Sequence, residues 1–173
     1  MVNMSDNTEI AYVILIHSEK HYIRGTSDSW QDLQQCYALA MVTKAALLLF
    51  RVDNGPLELL FVRPRGKPYF IFPGGKQEVN EDIRATLQRE LQEELGSQAR
   101  AIRKLGVVSG VTPDGHPLTL HLYLAQLTSE PSPQAEIAQL TWFTKQAVLA
   151  QPQLMTPMTL DHVMPFLEQE KIW

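Results

Sequence analysis

Three glutamates stand close together near the end of one predicted helix, in the stretch FPGGKQEVNEDIRATLQRELQEELGS (residues 72–97). They are Glu90, Glu93 and Glu94, and at about 100° of rotation per residue they fall within one sector of the helix. Like charges at this spacing repel, and acidic residues near a helix C-terminus oppose the helix dipole. Clustered carboxylate oxygens are ligands that Mg²⁺ or Mn²⁺ prefers, so a bound divalent cation would relieve the repulsion.

The glutamates border an apolar stripe of the same helix. The stripe consists of Ile83, Leu87, Leu91 and Leu95. Asp82 is a candidate N-cap, with Asn80 as its competitor, and Gly96 is a candidate for the residue that ends the helix. The simplest alternative is a solvated acidic face, but such a face would lie opposite the apolar stripe. The preceding Gly74-Gly75 pair permits close backbone approach, which favours a ligand site over a solvated face.

Basic and aromatic residues upstream of the glycine pair are candidates for substrate contacts. Arg63, Arg65 and Lys67 lie in a loop that leads towards the glutamate helix, and we predict that they bind substrate phosphates. The alternative is that they belong to an ordinary solvated loop. Tyr69 and Phe70 are able to stack on a nucleobase, although packing in the core is the favoured interpretation of both.

The same stretch resembles the Nudix box, the signature of the Nudix hydrolases. That pattern is a glycine, five residues, a glutamate, seven residues, Arg-Glu, an aliphatic residue, any residue, Glu-Glu, any residue, a glycine and an aliphatic residue. The matching residues are Gly75, Glu81, Arg89, Glu90, Leu91, Glu93, Glu94 and Gly96. The last position departs from the pattern, because Ser97 stands where an aliphatic residue is usual. We expect this change to affect packing after the helix and no ligand.

The resemblance implies an α/β fold, a Nudix-type α/β/α sandwich with a mixed sheet. It also implies metal-dependent cleavage of a nucleoside diphosphate that is linked to another group. The metal-site residues that it implies are Gly75 (through its carbonyl), Glu81 (as a supporting residue), Glu90, Glu93 and Glu94. Arg89 would orient a glutamate through a salt bridge, and Glu93 or Glu94 would take part in catalysis as the group that accepts a proton from the attacking water.

A further glutamate is expected to come from a loop outside the box. The loop TSEPSPQAEIAQLTW contains Glu130 and Glu136, and Glu136 lies six residues before Trp142. That spacing resembles the loop glutamate of mutator-type Nudix enzymes, so Glu136 is a candidate catalytic base or added ligand. The alternative for Glu136 is an ordinary exposed charge, which is also how we interpret Glu130.

The resemblance leaves several functions open. The first is an Mg²⁺-dependent nucleotide pyrophosphohydrolase, and the FPGGK sequence looks like the version found in members that act on nucleoside triphosphates. Hydrolases of ADP-ribose, ADP-sugars or dinucleoside polyphosphates share the box and are alternatives. A non-catalytic nucleotide-sensing module is a further alternative, although modules of that kind usually have eroded boxes and this one is intact.

Strands and helices are predicted around the box. LAMVTKAALLLFRV, LELLFVR, YFIF and LTWF read as strands, and in LTLHLYLAQL the leucines alternate with His121 and Tyr123. The DNG turn at Asp53–Gly55 marks a hairpin, so the sheet is expected to be mixed. Thr144 and Thr156 are predicted to cap C-terminal helices, and Pro165 is predicted to kink or split the second.

The domain division places a Nudix domain with C-terminal helices at residues 37–173, preceded by an extension at residues 1–36. The extension contains an apolar strand at Glu9–Ser18 and a short helix in SDSWQDLQQCY. The strand is apolar enough to need burial, so we expect the extension to pack on the core, at a sheet edge or in a homodimer interface.

Composition restricts the partners. The 173 residues suit one domain, and 15 basic against 19 acidic residues give a net charge of −4, which argues against binding of nucleic acid polymers. The single cysteine, Cys36, excludes a disulfide within the chain and fits the cytoplasm. The segment AYVILIH is too short to span a bilayer, and the first residues lack the basic start of a secretory signal. A small nucleotide is therefore the expected partner.

Overall fold

The computed structural model describes residues 10–13, 24–27, 41–53, 55–112 and 114–173. The strands are β1 (Ile10–Val13), β2 (Arg24–Ser27), β3 (Val42–Leu47), β4 (Phe50–Val52), β5 (Leu57–Pro64), β6 (Ala99–Val111), β7 (Pro117–Leu127) and β8 (Ile137–Thr144). The helices are α1 (Ile83–Leu95), α2 (Lys145–Ala150), a 3₁₀ turn (Pro152–Leu154), a π-helical segment (Met158–Val163) and α3 (Met164–Gln169).

Two three-stranded sheets form the centre of the domain. In the first, the order is β3-β7-β6, with β3 parallel and β6 antiparallel to β7. In the second, the order is β4-β5-β8 and all pairs are antiparallel. The prediction of a mixed sheet is confirmed. β1 and β2 form a separate antiparallel pair in the extension.

The predicted single strand over LAMVTKAALLLFRV is wrong, because the chain changes sheets in its middle. The Leu48 N–H donates to the Tyr123 carbonyl at 2.8 Å in the first sheet, and the Leu49 carbonyl accepts from the Leu60 N–H at 2.9 Å in the second. Likewise, the predicted strand YFIF contributes only isolated bridges, Val62 with Ile71 and Phe70 with Met155.

Most of the predicted helix ends are confirmed. Asp82, and not Asn80, is the N-cap of α1: its side chain accepts from the Arg84 N–H at 2.8 Å. Gly96 ends α1 in the left-handed conformation with φ 64°. The two C-terminal threonines cap as predicted: the Thr144 hydroxyl accepts from the Ala147 N–H at 3.1 Å and the Thr156 hydroxyl from the Thr159 N–H at 3.3 Å. The predicted break near Pro165 corresponds to the change from π-helical to α-helical geometry at Met164.

Helices cover the sheets on both sides, which gives the predicted α/β/α sandwich. The apolar stripe of α1 packs with Ala45 and Leu47 of β3, and Leu87, Leu91 and Leu95 are fully buried. The C-terminal helices pack in a second cluster on the other side. That cluster includes Ala46, Leu118, Leu120, Leu122, Val148, Met158, Val163 and Leu167. The predicted alternation of the β7 leucines with Tyr123 is confirmed, since Tyr123 belongs to the α1 side.

Most of the extension, including Cys36 and the predicted short helix, lies outside the described residues. β1 overlaps the predicted strand Glu9–Ser18. The packing of the extension on the core stays a prediction. Within the described part of the chain, no helix is long and apolar enough to cross a membrane.

Candidate active site

The segment that carries the glycine pair runs beside β3. Three backbone hydrogen bonds join them: Leu47 N–H to the Pro73 carbonyl at 2.8 Å, Ala45 N–H to the Gly75 carbonyl at 3.0 Å, and Gln77 N–H to the Thr43 carbonyl at 2.9 Å. Because α1 packs on the same strand, the glycines lie between β3 and the glutamate helix.

Both glycines are required by close contacts. A Cβ on Gly74, whose φ is 127°, would lie 2.2 Å from the carbonyl oxygen of Ala45. A Cβ on Gly75 would lie 2.2 Å from the carboxyl carbon of Glu90. The Gly74 N–H donates to Glu94 Oε2 at 2.8 Å. The missing side chain of Gly75 therefore leaves the space that the Glu90 carboxylate occupies, whereas that of Gly74 lets the backbone lie against β3 while its N–H binds Glu94.

Arg89 holds several acceptors in place. Its Nε donates to Glu81 Oε1 at 3.0 Å, its Nη1 to Glu90 Oε1 at 2.9 Å, and its Nη2 to the Lys76 carbonyl at 3.0 Å. The hydrogen bonds from Arg89 and from Thr86 lower the pKa of Glu81 to about 2. The same partnership with Glu81 raises the pKa of Arg89. Arg89 thus links the start of the Nudix-like stretch to the carboxylate cluster and orients Glu90.

Three carboxylates converge next to the glycine pair. Glu90, Glu94 and Glu136 each offer one oxygen atom, and these atoms lie within 4.8 Å of one another. Glu93 lies outside this group: its side chain is 52% exposed, and its Oε2 is 3.5 Å from Nη1 of Arg89. The structure therefore brings the predicted loop glutamate to the box glutamates, while the part of Glu93 in metal binding or catalysis stays a prediction.

The environment of this cluster disfavours three bare negative charges. Burial, together with the charges of Glu90 and Glu136, raises the pKa of Glu94 to about 8, although the Gly74 N–H acts in the opposite direction. Burial also raises the pKa of Glu90, against the effect of Arg89. A cation among these oxygens would remove the repulsion and favour the ionised forms.

Glu136 reaches the cluster because its loop docks on the end of α1. The Gln134 N–H donates to the Glu94 carbonyl at 2.9 Å, and the Ser132 N–H donates to the Leu95 carbonyl at 3.0 Å. These bonds satisfy carbonyls that a helix end leaves without intrahelical partners. Glu136 lies two residues after Gln134 and directly before β8, so these bonds hold it near the end of α1.

An apolar cavity of about 250 Å³ opens beside the carboxylates. It shares Gly74 with them, and Gly74 is the residue that binds Glu94. The other lining residues include Lys44, Lys67, Tyr69, Ile71, Phe72, Thr112, Leu118, Leu120, Thr156, Met158 and Thr159. The cavity thus combines apolar walls with two lysines and several hydroxyl groups.

A family model described as NUDIX domain matches residues 41–162 of the chain. The chain belongs to the NUDIX domain family. It is a Nudix hydrolase, an enzyme of the pyrophosphohydrolase class, and the family that the box predicted is confirmed. The matched residues include the box, the loop of Glu136 and all but the last residue of the π-helical segment.

Solved structures of similar fold include other Nudix proteins. The solution structure of the E. coli ORF135 protein gives a TM-score of 0.60 at 24% identity, over 75% of this chain and 91% of that one. A C. elegans Ap4A hydrolase binary complex gives 0.53 at 21% identity, over 62% and 84% of the two chains. The NUDIX domain of Shewanella oneidensis NrtR, complexed with ADP ribose, gives 0.53 at 21% identity, over 64% and 77%. At these identities the likeness concerns the fold. Among curated proteins, the comparison gives no match.

The Nudix carboxylates fit a divalent cation by their chemistry. Glu90, Glu94 and Glu136 offer hard oxygen ligands from three separate carboxylates, as Mg²⁺ and Mn²⁺ prefer. Gly75 leaves room for the Glu90 carboxylate, and its own carbonyl accepts from the Ala45 N–H, so a second lone pair is available to a ligand. Glu81 is bound to Arg89 and Thr86, which suits the supporting role that the resemblance implied.

The three basic residues predicted to bind substrate take different positions. Lys67 lines the cavity. Arg63 instead donates to Oε1 of Gln139 at 2.9 Å, and Arg65 donates through Nε to the Ala135 carbonyl at 3.2 Å. Contacts of Arg63 and Arg65 with a substrate stay predictions.

Sequence reasoning did not identify several cavity residues. Lys44 lies in a predicted strand, and nothing in the sequence around it indicates a function. Its positive charge nevertheless partly opposes the burial that raises the pKa of Glu94. For Thr156 the sequence indicates only a helix cap, and Thr159 lies inside the helix predicted to follow it. Of the two aromatic candidates, Tyr69 lines the cavity, whereas Phe70 packs edge-on against Phe143 at 5.1 Å, in agreement with the expected core role.

Proposed function

We propose that this Nudix hydrolase carries out Mg²⁺-dependent hydrolysis of a nucleoside diphosphate linked to another group, with a nucleoside triphosphate or a related nucleotide as substrate. The observation that carries the proposal is the junction at Gly74. On one side of it the carboxylates of Glu90, Glu94 and Glu136 meet, and on the other the apolar cavity opens.

The cavity suits the nucleoside part of such a substrate. Its apolar walls, from Leu118 and Leu120 on β7 to Met158 of the π-helical segment, can cover a planar base. Hydroxyls of Thr156 and Thr159 can exchange hydrogen bonds with polar atoms of the base. The cavity volume of about 250 Å³ lies just below the range of about 300–1,000 Å³ that is usual for small-molecule pockets, which suits the base of a nucleotide whose phosphates extend outside it.

The phosphates would then extend from the cavity towards the carboxylates. Lys44 and Lys67 line the cavity and supply positive charge for them. Glu90, Glu94 and Glu136 would hold the divalent cation, and Glu93 is a further proposed ligand. When bound, the cation neutralises the diphosphate and lowers the pKa of the attacking water.

The protein itself positions the groups that move the proton. Arg89 fixes the Glu90 carboxylate, and the Gly74 N–H fixes that of Glu94. Glu136 is exposed and comes from a loop, so it remains accessible to solvent. We assign Glu136 as the group that accepts the proton of the water, while Glu93 or Glu94 is the alternative within the box. Substitution occurs at phosphorus and releases two phosphorylated products or a nucleotide and pyrophosphate.

Turnover of a nucleotide panel tests the proposal. Nucleoside triphosphates, dinucleoside polyphosphates and ADP-ribose are incubated with the protein and Mg²⁺, and the products are separated by chromatography. We expect hydrolysis of at least one compound, abolished by EDTA and restored by added Mg²⁺. The ADP-ribose arm is included because the similar NrtR domain is complexed with that molecule. Binding of a nucleotide without turnover of any would instead favour the sensing module.

The expected location and partners follow the same proposal. A small nucleotide is the partner, and the reducing cytoplasm is the compartment that suits a chain whose single cysteine is Cys36. A homodimer formed through residues 1–36 is part of the proposal and is addressed by the deletion described below.

A further inference from the structure

Ser97 occupies the one box position that departs from the family pattern. It directly follows Gly96, and its side chain is buried, with 1% of the residue exposed. Its hydroxyl donates to the Ser129 carbonyl at 3.1 Å and accepts from the Ser129 N–H at 3.1 Å. An aliphatic side chain at this position would leave both backbone groups of Ser129 without these partners.

Ser129 belongs to the segment that carries Glu136. We call residues 128–136 the docking segment. Its other bonds to the end of the box helix use backbone groups on the helix side. The Thr128 N–H donates to the Gln98 carbonyl at 2.9 Å and the Thr128 hydroxyl accepts from the Gln98 N–H at 3.3 Å, while the Ser132 and Gln134 N–H groups donate to the Leu95 and Glu94 carbonyls. On the helix side, the Ser97 hydroxyl is thus the side-chain group that binds this segment, and it does so near the start of the segment, at Ser129.

The far end of the docking segment is held as well. The backbone N–H of Arg65 donates to the Glu136 carbonyl at 2.7 Å, and Arg65 Nε donates to the Ala135 carbonyl. Ala135 has a φ of 44°, a conformation that a residue with a Cβ adopts at a cost and only when its surroundings enforce it. The docking segment is therefore held at both ends, by Ser97 at Ser129 and by Arg65 at Ala135 and Glu136.

We propose that Ser97 is a positioning residue of this hydrolase: its hydroxyl holds the docking segment against the end of α1 and thereby sets the place of the Glu136 carboxylate beside Glu90 and Glu94. The proposal rests on the proposed function in so far as Glu136 takes part in the reaction. Ser97 touches neither substrate nor the reacting atoms, and it acts through Glu136. A serine that only stabilised the fold would not affect Glu136 selectively.

Amide hydrogen exchange of the metal-free protein tests the structural half. Ser97→Ala removes the hydroxyl, and Ser132→Ala is the matched control. It removes an exposed hydroxyl that bonds only within the segment, where it accepts from Gln134 Nε2 at 2.9 Å, and it leaves in place the Ser132 N–H that bonds to α1. We expect about tenfold faster exchange in peptides that span residues 128–136 of Ser97→Ala, with β5 unchanged and Ser132→Ala like the wild type. Unchanged exchange in this segment would overturn the proposal.

Kinetics in two backgrounds test the functional half. Ser97→Ala should lower kcat about tenfold and change the KM for the nucleotide less than threefold, whereas in the Glu136→Gln background the same substitution should have no further effect on kcat. Ser97→Thr keeps the hydroxyl and should recover most of the turnover. An equal loss of kcat in both backgrounds would show a general structural role and overturn the proposal.

Two further measurements keep the outcome decisive. If Ser97→Ala does not fold, Ser97→Cys is used in its place, since the thiol fills the site but is a weak hydrogen-bond partner. If the wild type hydrolyses no nucleotide, the proposed function fails. Hydrogen exchange and the Mn²⁺ affinity, measured by calorimetry, then still test whether Ser97 positions Glu136. A Mn²⁺ affinity that is about threefold to tenfold lower in Ser97→Ala than in the wild type supports the proposal. An equal affinity of the two proteins overturns it.

Discussion

At the residue scale, Glu94 has the most unusual environment of the cluster. Burial raises its pKa from an ordinary 4.5 to about 8, so in the metal-free folded protein it binds a proton that the unfolded chain has already released between those two values. The free energy of unfolding of the metal-free protein should therefore fall as the pH rises from about 4.5 to about 8, with a slope of up to about 1.4 kcal/mol per pH unit from this group. Glu94→Gln should remove that part of the slope, as measured by urea denaturation at several pH values.

Glu93→Gln is the control for Glu94→Gln, since the Glu93 side chain is half exposed and 3.5 Å from Arg89. Because Glu94 and its burial are kept in this variant, the part of the slope that Glu94 contributes should remain, and equal slopes for wild type and Glu94→Gln would contradict the assignment. With saturating Mg²⁺, Glu94→Gln should lower turnover about 10²–10³-fold with the fold retained. Glu93→Gln is also expected to lower turnover, and near-normal activity of either variant would exclude that residue from the metal site.

Glu136 and Glu130 provide a pair of like residues in one loop with different surroundings. Glu136 lies within 4.8 Å of Glu90 and Glu94, measured between carboxylate oxygens, whereas Glu130 lies near Arg100 and Trp142, beside a different depression of the surface. Glu136→Gln should cut kcat roughly 10²-fold or more, with a smaller change in KM, because a general base or ligand is lost. Glu130→Gln should be close to neutral, and equal behaviour of the two variants in steady-state kinetics would place the base within the box.

Lys67 and Arg63 form a second comparison at this scale. Lys67 lines the cavity, but the Arg63 guanidinium is bound to Gln139. Lys67→Gln should raise the KM for the nucleotide about tenfold and leave kcat within a few-fold, because it removes one charge–phosphate contact. Arg63→Gln should change KM less. A larger effect of Arg63→Gln would mean that its side chain leaves Gln139 to bind the substrate.

At the scale of elements, the site depends on how closely residues 73–77 approach both β3 and α1. Gly75→Ala would place a Cβ 2.2 Å from the Glu90 carboxyl carbon, so either the carboxylate or the segment must move. We expect loss of Mn²⁺ binding and a fall in turnover of about 10²-fold or more, the scale for removal of one electrostatic contact. Calorimetric titration with Mn²⁺ measures the first effect.

Gly55→Ala is the matched control for Gly75→Ala. Gly55 lies between β4 and β5, and the nearest atom to a Cβ there is the Asp53 carbonyl oxygen at 3.6 Å, an ordinary contact. Its activity and metal affinity should stay close to those of the wild type. Normal Mn²⁺ affinity of Gly75→Ala would show that Glu90 does not need its present position.

Local sequence signals predicted α1 and its caps well, because Asp82, Gly96 and the apolar stripe act within the helix itself. The change of sheets after Leu47 was not predictable, since it depends on hydrogen bonds with strands of two different sheets, through Tyr123 of β7 and Leu60 of β5. The same limit applies to the site. Helical spacing brought Glu90, Glu93 and Glu94 together, whereas only the fold distinguishes buried Glu94 from half-exposed Glu93 and adds the cavity threonines.

At the scale of the whole molecule, the extension is expected to serve assembly and not chemistry. The NUDIX match begins at residue 41, and the carboxylates and cavity all lie after it. Deletion of residues 1–36 should therefore keep kcat within a few-fold but lower solubility or change the elution volume in size-exclusion chromatography. A truncated protein that is soluble and unchanged in elution but inactive would contradict this.

The attachment of the docking segment to α1 also bears on how the protein acquires and loses its structure over time. Ser97 and Ser129 are 32 positions apart in the chain, and contacts that close such long loops tend to form late in folding. Under the proposed Mg²⁺ dependence, α1 would offer only part of the ligand set before these contacts form, so Mg²⁺ should not hasten refolding. Once Glu136 has joined, a cation bound as proposed would have to leave or become exposed before the segment detaches. Mg²⁺ would then act on the unfolding rate, and the lifetime of the folded enzyme would follow the Mg²⁺ concentration around it.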